Sequence, residues 1–171
     1  MILEQFPELD RILPRFEAWY NCDVADRPPV TIWNIWRPGA TLAPAKTYPS
    51  RREALLDVEG RIGAFEDRWD KLVYVGDTFP VFSPAIAADQ AAANFGGQLE
   101  FNAISSWAVH GLDHARDVLK RKPGLDNVYA TAIQRMTDLS LHRSRGRWLT
   151  SLSVYQSSGD LLVALCGPET L

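Results

Sequence analysis

The sequence predicts an α/β fold: a leading helix, then about three βα units with parallel strands, and a small β-hairpin arm after the second strand. Three observations carry this. Short β-branched runs alternate with longer segments whose apolar residues recur at helical spacing, the rhythm of a parallel sheet covered by helices. Between residues 98 and 110 that rhythm gives way to two short alternating runs. Finally, Leu149–Tyr155 leads through Gln156, Ser157, Ser158 and Gly159 into the apolar segment Leu161–Cys166, one more βα unit. Its strand should want a neighbour that the chain does not encode, so borrowed structure is expected.

In order, Phe6, Leu9, Ile12, Leu13, Phe16 and Trp19 mark the leading helix, with Pro14 as a kink or restart and Asn21 as a left-handed stop. Pro28 and Pro29 forbid helix, and Val30–Trp36 then reads as a buried strand one. Ser50 and Glu53 have capping-box spacing, so a helix starts near Arg51; it continues through Leu55, Val58, Ile62, Phe65 and Trp69, with Gly60 and Gly63 weakening its middle. Lys71–Val75 is strand two. Ala85–Phe95 is a helix closed by Gly96 and Gly97. Gln98–Asn102 and Ser105–His110 form the arm, and Asp113 caps a short helix to Lys120. A crossover helix from Leu125 carries Val128, Tyr129, Ala132, Ile133, Met136 and Leu139, and Trp148–Tyr155 is strand three.

The 171 residues, 46% hydrophobic and 23% charged, suit one domain over 1–171, with 1–25 as the leading helix and 26–171 as the βα units. A net charge of −3 and a pI near 5.6 give no basic field, which argues against a nucleic-acid partner. Cys22 and Cys166 lie far apart without metal-ligand spacing and read as reduced, buried thiols. The N-terminus carries acids where a signal peptide needs a basic end, and no apolar run reaches the roughly 20 residues of a membrane span. A cytoplasmic protein that does not enter membranes, and without a cofactor, is the expectation.

Chemistry in parallel αβ folds gathers beyond the strand C-termini. Those edges offer Asn34, Trp36 and Arg37, then Asp77, then Tyr155, Gln156, Ser157 and Ser158. If the strands are neighbours, Arg37, Asp77 and Tyr155 could meet on one small anionic molecule, with Asn34 and Gln156 beside them; the plainer reading is that Arg37 and Asp77 pair or face water. His110 and His114 are four apart, but Gly111 and Asp113 between them start the helix too late for a metal pair. His142 suits a helix C-terminus. Ser157-Ser158-Gly159 lacks both the nucleophile elbow and the P-loop lysine, so it reads as a helix cap. Trp19, Trp69 and Trp148 fit core positions, whereas Trp33 and Trp36 fall on opposite faces of strand one.

Several strings in order carry a resemblance: Arg15–Asn21, Asp26–Ile32, Tyr48-Pro49-Ser50, Gly76–Pro80, Leu99–Phe101 and Gly159–Glu169. Together they resemble the N-terminal half of uroporphyrinogen decarboxylase-like proteins, whose domain is an eight-stranded TIM-type barrel. The resemblance implies a partial, half TIM-type barrel. It implies that Asp77 matches the family's aspartate that holds pyrrole nitrogens, a task a carboxylate can do by accepting several N–H donors. Only Arg37 stands near the family's arginine-rich loop, and the second arginine has no counterpart. Zinc ligands of the related methyltransferases belong to the barrel half not present here. Two classes of function follow: a half-barrel that self-associates into a homodimer or higher homo-oligomer without established catalysis, able to bind a small anionic or tetrapyrrole-like ligand; or a tetrapyrrole decarboxylase (a lyase), or a methyltransferase-like enzyme, reconstituted by oligomerisation, with Asp77 holding substrate and Arg37 and Tyr155 assisting.

Overall fold

The computed structural model describes residues 3, 6–155 and 157–170. They form a mixed α/β structure with small sheets, none closed. Among the described residues no helix is long and apolar enough to cross a membrane. Two compact units are seen: one comprises the described residues up to Ala45 with Ile62–Phe82 and Leu139–Ser151, the other Lys46–Arg61, Ser83–Asp138 and the described residues from Leu152 onward.

In the first unit, helix α1 spans Leu9–Tyr20 with Pro14 inside it. The missing N–H there forfeits only a bond to the carbonyl of solvent-exposed Asp10 in the first turn, so the helix continues without restarting. The stop falls one residue later than expected: Cys22, not Asn21, has the positive φ of 56°. Cys22 is also exposed, whereas Cys166 is buried, so only one of the two thiols is a core residue. Trp19 is likewise outside the core, packing edge-on to Tyr20 on the surface.

Strand β1, Thr31–Trp36, pairs with β2, Leu72–Gly76. The pairing is antiparallel, with a bulge between Ile32 and Ile35 where Asn34 takes φ 62°. Parallel order is enforced when a crossover helix packs back onto the sheet. Every residue of β1 is exposed: Arg68 reaches Asn34 and Trp36, but no helix buries the strand as a crossover helix would, and the antiparallel register is free to form. The buried strand expected from its composition is thus a two-stranded surface ribbon. Beyond β2 the chain turns at Gly76, φ 71°, and resumes as β3, Val81–Phe82. β3 pairs in parallel with β6, Leu149–Thr150, so the third strand's parallel neighbour is this short continuation and not β2.

The core of this unit is aromatic. Helix α3, Val58–Trp69, supplies Phe65, whose ring meets Phe82 and Trp148 edge-on, each at 5.3 Å. Trp148 is fully buried; its indole N–H donates to Ser140 Oγ at 3.0 Å, and that hydroxyl lies 2.7 Å from Thr150 Oγ1. The Arg147 guanidinium stacks 4.6 Å from the Trp148 ring. Burial of the indole therefore leaves no polar atom unpaired.

In the second unit, α2, Arg51–Leu56, begins at the expected capping box: Ser50 Oγ accepts from Glu53 N at 3.2 Å. Asp57 then separates α2 from α3 and caps the new start by accepting from Gly60 N at 2.9 Å. Here α4 covers only Gln90–Ala93. The longer alanine-rich helix does not form because Gln90 Oε1 captures the Ile86 N–H at 2.8 Å, holding 86–89 in a turn. The arm is present as the antiparallel hairpin β4, Gln98–Phe101, and β5, Ser106–Val109. A 3₁₀ turn, Ala115–Lys120, follows without a cap from Asp113, and neither His110 nor His114 is helical. Helix α5 spans Val128–Ser144, and α6, Ser158–Cys166, starts on Ser157, whose Oγ accepts from Asp160 N. Ala92, Ala108, Ala164, Leu165 and Cys166 form the core, with Phe95, Leu99 and Leu161 packed around it.

Strand three is shorter than expected. Only Leu149–Thr150 is in a ladder; Ser151–Tyr155 continues without one, and Leu152 is 91% exposed.

Candidate functional site

Asp77 follows Gly76, and the left-handed turn at that glycine aims the carboxylate back along the ribbon. A Cβ on Gly76 would meet the Val30 carbonyl at 2.4 Å, so only glycine permits this approach. Asp77 N donates to Val30 O at 2.7 Å, and Val30 N donates to Asp77 Oδ2 at 2.8 Å. The next residue repeats the device: Thr78 Oγ1 accepts from Ile32 N at 2.8 Å and donates to Ile32 O at 3.1 Å.

Two arginines close over the carboxylate. Arg15, half-buried on α1, donates from Nη1 to Asp77 Oδ1 at 2.7 Å, and from Nε and Nη2 to Asp26 at 2.7 Å each. Arg27 donates from Nη1 to Asp77 Oδ2 at 2.5 Å and from Nη2 to Oδ1 at 3.0 Å, while Nη1 also reaches the Pro28 carbonyl. Asp77 is 0% exposed and takes four donors, two on each oxygen. Those fill the acceptor capacity of a carboxylate. Arg27, with 41% of its side chain exposed, forms the solvent side of the network.

The electrostatics follow from this geometry. Burial pushes the Asp77 carboxyl up, but the Arg27 guanidinium, the Val30 N–H and Arg15 together outweigh it and hold it at about 2. Arg15 holds Asp26 well below the usual carboxylate range, and is itself raised by Asp26 and then Asp77. Two cations and two anions balance, so the cluster is neutral and fixes α1, the Asp26–Val30 loop and the end of β2 to one another.

The arginines on Asp77 are therefore Arg15 and Arg27, not Arg37. Arg37 is exposed and among the described residues bonds only backbone, its N to Lys71 O at 2.9 Å and its Nε to Leu72 O at 3.3 Å. Asn34 lies in the β1 bulge, where its Oδ1 accepts from Arg68 Nη2. Tyr155 belongs to the second unit and is half-exposed; Gln156 lies outside the described residues. Arg15 and the Asp26-Arg27 pair had a sequence signal, charges flanking an apolar strand, but a helix face and a Pro-Pro turn gave no sign that both converge on residue 77. Among the described residues no three His, Cys, Asp or Glu side chains gather as a metal set.

A second charged cluster sits in the other unit. Asp57 Oδ2 accepts from Lys46 Nζ at 2.5 Å and Tyr48 Oη at 2.9 Å, and with the Gly60 N–H these hold its carboxyl down to about 2. It caps a helix and joins a loop. A scan against family models found no match for this chain, and searches among curated proteins and solved structures found none.

Proposed function

We propose that this chain is a self-associating, non-catalytic α/β protein of the uroporphyrinogen decarboxylase-like half-barrel type, two copies joining through β1. The carrying observation is that all six side chains of β1 are exposed although four of them are Ile32, Trp33, Ile35 and Trp36, with Trp33 at 61% and Trp36 at 40% exposure. Among the described residues the ribbon has two strands, so β1 has an edge with no strand on it, although Thr78 Oγ1 occupies the N–H and C=O of Ile32. Proteins guard such edges with charge, proline or cover, and Thr31–Trp36 has no charged residue and no proline. Antiparallel pairing of β1 with its copy is self-complementary under a two-fold axis and brings no like charges together.

The family part of the reading is supported by the residue strings and by the element order of leading helix, βα, βα with an inserted hairpin, then βα. The β3–β6 pair is parallel, as in a barrel, and the β1–β2 pair is not. The non-catalytic part is supported by Asp77, whose lone pairs serve this chain's own donors.

Light scattering behind a sizing column, over a tenfold dilution, tests the reading. We expect a stable multiple of 19.2 kDa for the natural chain. Ile35→Lys, which puts a charge on the ribbon, should shift it to the monomer mass. A monodisperse natural monomer at micromolar concentration would overturn self-association.

A further inference from the structure

The first unit contains a cavity of about 210 Å³ beneath the β1–β2 ribbon, walled by Trp33, Phe65, Tyr74 and Phe79 with Asn34 and Arg68 among its polar lining. No aspartate or glutamate lines it. Arg68 is half-buried on α3 and forms no ion pair among the described residues. Its Nη2 donates to Asn34 Oδ1, its guanidinium lies 5.4 Å from the Trp36 ring centroid, and its Nε is buried with no hydrogen-bond partner. A cation beside an apolar wall with no counter-ion is costly unless something else supplies the anion, which the terminal guanidinium nitrogens, not the sealed Nε, would have to receive.

We propose that this cavity binds a small planar aromatic carboxylate, its ring on the aromatic wall and its carboxylate on Arg68 and the Asn34 amide. The class follows from three features. Volume restricts the ligand to one or two rings, since drug-sized molecules need cavities of roughly 300 Å³ or more. The walls favour a flat ring over an aliphatic chain, because edge and face contacts to Phe and Tyr add to area burial. The guanidinium is a planar fork that matches a carboxylate, and the Asn34 amide nitrogen, which has no partner among the described residues, offers one more donor. The positive φ of Asn34 in the bulge aims that side chain at Arg68 in place of regular strand alternation.

Isothermal titration of the 171-residue chain with 2-naphthoate and, separately, with the neutral 2-naphthamide tests this. Naphthoate should bind at least roughly tenfold more tightly than naphthamide, the difference a charged hydrogen bond supplies. Arg68→Gln should erase that preference, and Arg68→Lys should retain part of it. Equal affinity for the two probes, no naphthoate binding up to millimolar concentration, or an unchanged preference in Arg68→Gln would overturn the proposal. The probe comparison uses the natural chain, so it stands even if Arg68→Gln does not fold. Repeating it in Ile35→Lys separates this site from self-association, because a monomeric variant that still prefers naphthoate keeps one and loses the other.

Discussion

Arg27 grips Asp77 with both terminal nitrogens, at 2.5 and 3.0 Å, while the carboxylate itself is sealed from water. With Arg15 and the Val30 N–H on the same group, the end of β2, the loop before β1 and helix α1 share one neutral knot. Removing the Asp77 charge leaves the buried side of Arg15 and the Val30 N–H facing a weaker acceptor, which costs more than the pair is worth against water.

Asp77→Asn should therefore lower stability by roughly 3 kcal/mol, the low end for breaking a buried pair because Arg27 can still turn to solvent. Its pH profile is more specific. A carboxyl held at about 2 in the fold, below its unfolded value, contributes stability above the unfolded value and loses it as pH falls through the folded one. Urea midpoints of the natural chain should stay level down to about pH 5 and fall between about pH 4 and 2. In Asp77→Asn that fall should be shallower, with Asp26, Asp57, Asp67 and Asp117, each held below the ordinary carboxylate value by a cationic partner, supplying what remains. An equal fall in both proteins would show that Asp77 is not a source of the acid limb.

Gly60 and Gly63, one turn apart on α3, should respond to alanine with opposite signs. A Cβ at Gly60 would lie 2.5 Å from both Asp57 Oδ2 and Tyr48 Oη, the groups that bind the cap together, whereas at Gly63 it would meet nothing within 4 Å. Gly63→Ala should stabilise by about 0.5–1 kcal/mol, the ordinary helix preference. Gly60→Ala should destabilise despite that preference. Thermal melts of the two variants decide it; two gains would mean the cap is not rigid.

What could be read from sequence was what is local. The Ser50–Glu53 box and the Ser157 cap were legible because each joins residues three apart, and the 98–109 hairpin and the long helix because each is a contiguous segment with its own alternation or helical spacing. What misled was composition without context. Val30–Trp36 reads as a buried strand because β-branched and aromatic residues usually are buried, and no local signal says that nothing covers it. Lys71–Val75 was legible as strand two, but Val81–Phe82, which resumes beyond the Gly76 turn and pairs in parallel with β6, is too short to carry a pattern of its own. Of the site, Asp77 and Asn34 were visible as strand-edge residues. Their partners Arg15, Arg27 and Arg68 were not, because those contacts span 62, 50 and 34 residues of chain.

The cysteines give a simple chemical check. Cys22 is exposed just past α1, and Cys166 is in the alanine-rich core of the second unit. A thiol reagent should modify one cysteine per native chain quickly and the second only on unfolding. Cys22→Ser should abolish the fast phase. Two fast thiols would contradict the packing of α6.

Gln90 makes the sharpest test of the second unit, because one fully buried amide fixes two distant segments. Its Oε1 accepts from Ile86 N, and its Nε2 donates to Ser153 Oγ at 2.8 Å and Val154 O at 2.6 Å. The segment after β6 is thus held by a side chain in place of a strand ladder. Gln90→Leu keeps the volume and strands these groups, at a cost of roughly 1–3 kcal/mol for each one left buried and unpaired. Gln90→Glu distinguishes the two ends of the amide. As a carboxylate it keeps the Ile86 bond but faces the Val154 carbonyl with no proton; protonated, it donates there again. Its folded pKa should accordingly rise above the unfolded value, so the contribution is present at low pH and lost as pH rises through the folded value. Relative to the natural chain, Gln90→Glu should be most destabilised near neutrality and recover towards pH 5, read from urea midpoints of both proteins. A deficit independent of pH would mean that the Val154 carbonyl is not the partner that matters.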